Sequence, residues 1–155
     1  LADQDRNRWD GAQIGRGLAA LARAEERGPL GPYGLQAAIA ACHARAASVE
    51  ETDWVRISAL YESLAQLTGS PVVELNRAVA LGMAFGPEMG LQAVDALAAA
   101  GDLDRYHLLP SVRGDLLERL GRVAEARVEF ERAAAMTANA RERDLLLARA
   151  AACAS

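Results

Sequence analysis

Gly114-x2-Leu117 is followed, twelve residues after Gly114, by Ala126-x3-Phe130-x2-Ala133. Small and large residues alternate here at helical spacing, on two segments separated by Gly121. Two helices can lie close together only where glycine or alanine occupies the crossing point, and Leu117 and Phe130 supply the bulk beside it. The pattern predicts a helix-turn-helix hairpin and, by extension, a stacked helical scaffold.

The chain has 155 residues, 52% of them hydrophobic, which is enough for one domain with a buried core. Alanine makes up much of that fraction and aromatics only 5%, so the layers are expected to be thin and closely spaced. That suits a repeat array better than a bulky globular interior. The fold class read from this composition is all-α.

Glycine and proline punctuate the chain at Gly28-Pro29, Gly69-Ser70-Pro71, Gly86-Pro87, Gly101 and Gly121, with helical periodicity between the breaks. About eight helices follow. A helix over 10–27 carries Ile14, Leu18 and Leu21 on one face, and the next starts near Pro32 with Leu35, Ile39 and Cys42. A third begins after Ser48 or Thr52 and is expected to bury Ile57, Leu60, Leu64 and Leu67. Ser70 can cap a fourth, with Pro71 at its first position and Val72, Leu75 and Val79 facing inward. Leu91, Val94 and Leu97 stripe a fifth helix up to Gly101. The sixth spans about Arg105 to Leu120, and Pro110 draws its start towards Leu109 because proline is tolerated only in a first turn. The last two cover about Val123 to Met136 and Ala140 to Ala152.

Paired as antiparallel hairpins, these helices give repeats over about 32–68, 71–100 and 105–136, with steps close to the tetratricopeptide period of about 34 residues. Helix 10–27 then caps the stack at one end and helix 140–152 at the other. Leu81-Gly82-x2-Phe85 repeats the first half of the pattern, and Ala59 followed twelve residues later by Pro71 repeats the second. No unit carries the whole of it: in the third, Pro110 stands at the signature tryptophan position and Ala138 at the closing proline. The expected architecture is a tetratricopeptide-like solenoid.

A net charge of −4 sets the chain against direct nucleic-acid binding, which needs a basic face for the phosphates. Cys42 and Cys153 lie far apart without a C-x-x-C, and His43 and His107 are the two histidines. No disulfide framework, metal site or cofactor is indicated, and a reduced cytoplasmic setting is the expectation. Catalytic motifs with nucleophile, base or phosphate-loop spacing are absent, which argues against an enzyme. No window reaches the roughly 18 apolar residues of a membrane span. The polar opening from Leu1 to Arg8 reads as part of something longer.

The first helix of each repeat lines the concave side of such a solenoid. Gln36 and His43 share one helical face, Asn76 and Arg77 lie on the fourth helix, and Arg113 lies on the sixth. An amide offers a donor and an acceptor together, and arginine offers a forked cation, so these five residues form a candidate groove for a peptide or small ligand. Trp54 and Tyr61 are read as packing residues, with Trp9 anchoring the first helix.

Longer strings carry a family likeness. They are Asp5-Arg6 with Trp9-Asp10; Gly31-Pro32-Tyr33 leading into Leu35-Gln36-Ala37-Ala38-Ile39-Ala40-Ala41 and His43-Ala44; Thr52-Asp53-Trp54 with Leu60-Tyr61; Ser70-Pro71-Val72-Val73 with Leu75-Asn76-Arg77-Ala78-Val79-Ala80; and Tyr106-His107-Leu108-Leu109. Together they resemble the C-terminal extension of a subgroup of bacterial extracytoplasmic-function (ECF) RNA polymerase sigma factors, over nearly the whole chain. The resemblance implies a helical, tetratricopeptide-like domain that regulates transcription initiation. It also implies contacts with the upstream sigma regions and, through the parent protein, with core polymerase, or with a regulatory protein or peptide. The chain contains no promoter-reading helix to which DNA contacts could be assigned.

Overall fold

The structure, a computed structural model, describes residues 28–154 together with Arg16, Gly17, Ala19, Ala20 and Arg23, which are helical. The rest of the predicted helix 10–27, and Trp9, lie outside the described residues. Seven helices of 12 to 15 residues follow, with no strand among the described residues. They are α1 (Pro32–Arg45), α2 (Trp54–Thr68), α3 (Pro71–Phe85), α4 (Pro87–Ala100), α5 (Leu108–Arg119), α6 (Val123–Met136) and α7 (Ala140–Ala152). Each packs on its neighbours in the chain, and α3 also touches α5, as in a helical repeat.

Local chemistry sets the boundaries. Ser70 Oγ accepts from Val73 N at 3.4 Å and Pro71 begins α3, the capping expected for that helix. At Gly86 the chain leaves α3 and starts α4 in one step, with φ at 106°, a backbone region that side chains other than hydrogen rarely allow. The cap of α2 is neither Ser48 nor Thr52. Thr52 Oγ1 turns back to donate to the Ser48 carbonyl at 2.9 Å, so the next residue, Asp53, accepts from Arg56 N at 3.1 Å and the helix starts at Trp54. Helix α5 starts at Leu108, which puts Pro110 within its first turn.

Two apolar clusters form the interior. The first joins Leu35, Ile39 and Cys42 of α1 to Ile57 and Leu64 of α2 and Ala80 of α3. The second runs from Leu75 and Ala78 of α3 through Leu91, Val94, Leu116 and Leu117 to Phe130 and on to Leu146. Helix α3 is therefore a shared wall with a different face in each cluster. Both cysteines are free thiols, and burial pushes the Cys42 thiol pKa up, as befits a packing group.

The close approaches fall on glycines. A Cβ on Gly114 would stand 2.7 Å from Cε1 of the Phe130 ring, itself fully buried. A Cβ on Gly90 would meet the Ala78 carbonyl oxygen at 2.9 Å and Gly82 Cα at 3.0 Å, with Leu116 of α5 seated against both glycines. Backbones thus touch where α3 crosses α4, and a ring fills the space where α5 crosses α6.

Some positions read as core are not. Leu67 is 58% exposed and Leu60 only half-buried, because Leu64 and Ala65 take the inner positions in the last turns of α2. Val72 and Val79 are also exposed, since Leu75, Ala78 and Ala80 occupy the two faces of α3 that meet other helices.

Adding a methyl to a filled crossing forces backbone or ring to shift. Gly114→Ala and Gly90→Ala are each expected to lower unfolding free energy by about 1–3 kcal/mol in urea titrations. Phe130→Leu should relieve part of the Gly114→Ala loss while being destabilising alone, a coupling that a double-mutant cycle measures.

Candidate functional site

The three faces of α3 decide what is left for a ligand. Leu75, Ala78 and Gly82 point into the α4–α5 side, and Val73 and Ala80 meet the α1–α2 side. Val72, Asn76, Val79 and Met83, at spacings of four, three and four, form a third stripe that none of the helices α1 to α7 covers.

Beside this stripe lies a cleft of about 310 Å³. Asn76, Val79 and Met83 form one wall, Trp54 and Tyr61 of α2 the other, and His43 of α1 and Val49 of the α1–α2 loop close the end. The buried His43 imidazole meets Trp54 edge to face, centroids 5.5 Å apart, and Trp54 Nε1 donates to the Val49 carbonyl at 3.2 Å. These contacts fix the aromatic wall. Burial pushes the Tyr61 phenol pKa up from its ordinary value, so the hydroxyl stays protonated at neutral pH and can donate. The cleft combines an apolar lining with an amide, an imidazole and a phenol, and among the described residues no carboxylate lines it.

A larger cavity of about 440 Å³ lies between α4 and the α5–α6 turn, lined in part by Asp95 and Arg122. Asp95 is matched to Arg113 and Arg122 to Glu125, and Glu88 and Gln92 add further polar lining. The smaller cleft is the better candidate, because its polar groups lie against apolar surface as ligand sites require.

Of the five residues read as a groove, the structure brings His43 and Asn76 together in the cleft. Gln36 is exposed on α1 and is not part of the cleft lining. Arg77 points away and pairs with Glu74 at 3.3 Å. Arg113 lies on α5, where Nε donates to Asp95 of α4 at 2.9 Å and Nη1 to the buried Glu129 of α6 at 3.1 Å. It ties three consecutive helices together. Trp54 and Tyr61, read as packing, do pack and also form a wall of the cleft. Val79 and Met83 were missed, although the sequence holds a signal: α3 has more apolar residues than one inward stripe can use.

His107 Nε2 lies 2.7 Å from Glu142 Oε1, while Glu142 Oε2 accepts from Thr137 Oγ1 at 3.1 Å. This imidazole-carboxylate pair clamps the start of α5 to the start of α7. Among the described residues, no group of three or more His, Cys, Asp and Glu side chains is gathered as a metal would need. No helix of the described residues is long and apolar enough to cross a membrane.

The chain is 47% identical over 142 residues to an uncharacterized protein of Rhizobium meliloti (strain 1021). The match takes in 92% of this chain and 33% of that protein, so the chain spans about a third of the relative's length. No family model matches the sequence, and no solved structure matches it.

Removing Arg113 strands Glu129 in a buried position, so Arg113→Ala should cost about 1–3 kcal/mol of stability. Asn76→Ala, on the exposed face of α3, should stay within about 0.5 kcal/mol of wild type. Thermal unfolding of the two variants side by side checks both values.

Proposed function

We propose that this chain is the regulatory, protein-contacting C-terminal part of an ECF-type bacterial RNA polymerase sigma factor, acting in transcription initiation in the cytoplasm. The observation that carries the reading is the set of sequence strings that resemble that family's C-terminal extension, above all Ser70-Pro71-Val72-Val73 with Leu75-Asn76-Arg77-Ala78-Val79-Ala80. Three other features agree with it. Neighbour-on-neighbour helical packing suits a tetratricopeptide-like solenoid, with hairpins α1–α2, α3–α4 and α5–α6 as the repeats and α7 as the C-terminal cap. The acidic chain suits contact with protein rather than with DNA. The Rhizobium relative is about three times as long as the matched segment, which leaves room for other regions in a protein of that kind.

On this reading the domain is not an enzyme. Among the described residues no carboxylate lines the cleft beside its imidazole, and the imidazole-carboxylate pair at His107 and Glu142 holds two helices together. The domain acts by presenting surface to the upstream sigma regions, and through them to core polymerase, or to a regulatory protein.

A second reading is favoured by one observation, the open cleft between α2 of the first repeat and α3 of the second. It is a free-standing tetratricopeptide-like adaptor that holds a peptide or small ligand in its concave groove. The two readings part in a transcription assay with purified core polymerase, comparing the parent protein with a version cut just before Leu1. The sigma-factor reading expects promoter-driven transcript, at a level that truncation changes. A parent that drives no transcription in either form would remove that reading and leave the adaptor.

A further inference from the structure

We infer that the cleft between α2 and α3 is the docking site for a short segment of a partner protein that presents a bulky apolar anchor followed by a carboxylate. The inference rests on the protein-contact reading above and names the chemistry of the contact.

The apolar half of the claim comes from the cleft walls. Val79 and Met83 are each 36% exposed, far more than their neighbours Ala78 and Ala80, and they face the Trp54 and Tyr61 rings across a gap. A gap with aliphatic groups on one side and aromatic groups on the other receives one aliphatic or aromatic side chain. Asn76, in the middle of the stripe, can pair both its donor and its acceptor with the backbone of an incoming segment.

The acidic half comes from Arg119 of α5. Its Nη1 lies 3.7 Å from Met83 Sδ, at the rim of the cleft, and 3.8 Å from where a Gly82 Cβ would stand. Arg113 and Arg149 are each held by two carboxylates, and Arg77, Arg122 and Arg127 by one each. Arg119 is exposed and pairs with no carboxylate among the described residues. An exposed cation beside an apolar slot whose described lining holds no acid favours an anionic neighbour to the anchor and disfavours a cationic one.

Selection of a displayed library of random peptides on the full 155-residue chain tests the inference. The enriched sequences should share a bulky apolar residue with Asp or Glu within one turn of it. For the best of them, made as a labelled peptide and read by fluorescence anisotropy, Val79→Glu should weaken binding by roughly fivefold or more. Arg119→Glu should turn the preference from acidic to basic sequences. Asn76→Asp, which replaces one amide nitrogen with oxygen, places a repelling carboxylate in the cleft without changing its shape and should also weaken the acidic peptide. No enrichment, binding indifferent to Val79→Glu and Asn76→Asp, or an acidic preference that survives Arg119→Glu would each overturn the assignment. No polymerase enters this experiment, so its failure is separable from failure of the sigma-factor reading.

Discussion

Phe130 lies with its ring edge against Gly114, where any side chain would collide with it, and the C-terminal half of the stack is arranged around that contact. With Gly114 bare, α5 settles onto α6 closely enough for Leu117, Ala126 and Ala133 to lose all contact with water. The outer side of the ring is covered by the Arg149 guanidinium of α7, 4.3 Å from its centroid, and that guanidinium is held by Asp115 and Glu118 of α5. One aromatic residue thus organises three helices. Burying a phenylalanine is worth about 1.5–3 kcal/mol, and here the cation and its two carboxylates depend on the ring's position as well.

The same device is used with smaller parts where α3 meets α4. Gly82 and Gly90 let the two backbones touch, and Leu116 fills the notch they leave. Once α4 and α5 have taken one face of α3, and α1 and α2 another, the stripe of Val72, Asn76, Val79 and Met83 is left uncovered by the helices α1 to α7. The exposed apolar surface of the cleft follows from how tightly the other two faces pack. Such a wall is already fixed in place, which lowers the ordering cost for anything that binds it.

Much of this was legible in the sequence. The spacing of Gly114, Leu117, Ala126, Phe130 and Ala133 announced the crossing, and Ser70-Pro71 announced the start of α3, because both are local patterns with one physical solution. The site was legible only in part. Which apolar stripe of α3 is covered depends on the neighbouring helices, and periodicity cannot choose between Leu75 and Val79. Arginine roles were harder still. The sequence offers Arg113 to a ligand, yet its partners Asp95 and Glu129 lie 18 and 16 residues away, while Arg119, further along α5, pairs with no carboxylate among the described residues. Long-range pairing of charges leaves no periodic trace. The cap of α2 was missed for a local reason, since Thr52 spends its hydroxyl on Ser48 and leaves Asp53 to do the capping.

Each helix of the stack rests chiefly on its neighbours in the chain. Native-state hydrogen exchange on wild type and Gly114→Ala tests that dependence most directly. A neighbour-coupled stack predicts that the substitution strips protection from α5, α6 and α7 while leaving the amides of α1 and α2 close to wild type. Uniform loss of protection across all seven helices would contradict it and show a single cooperative globule instead.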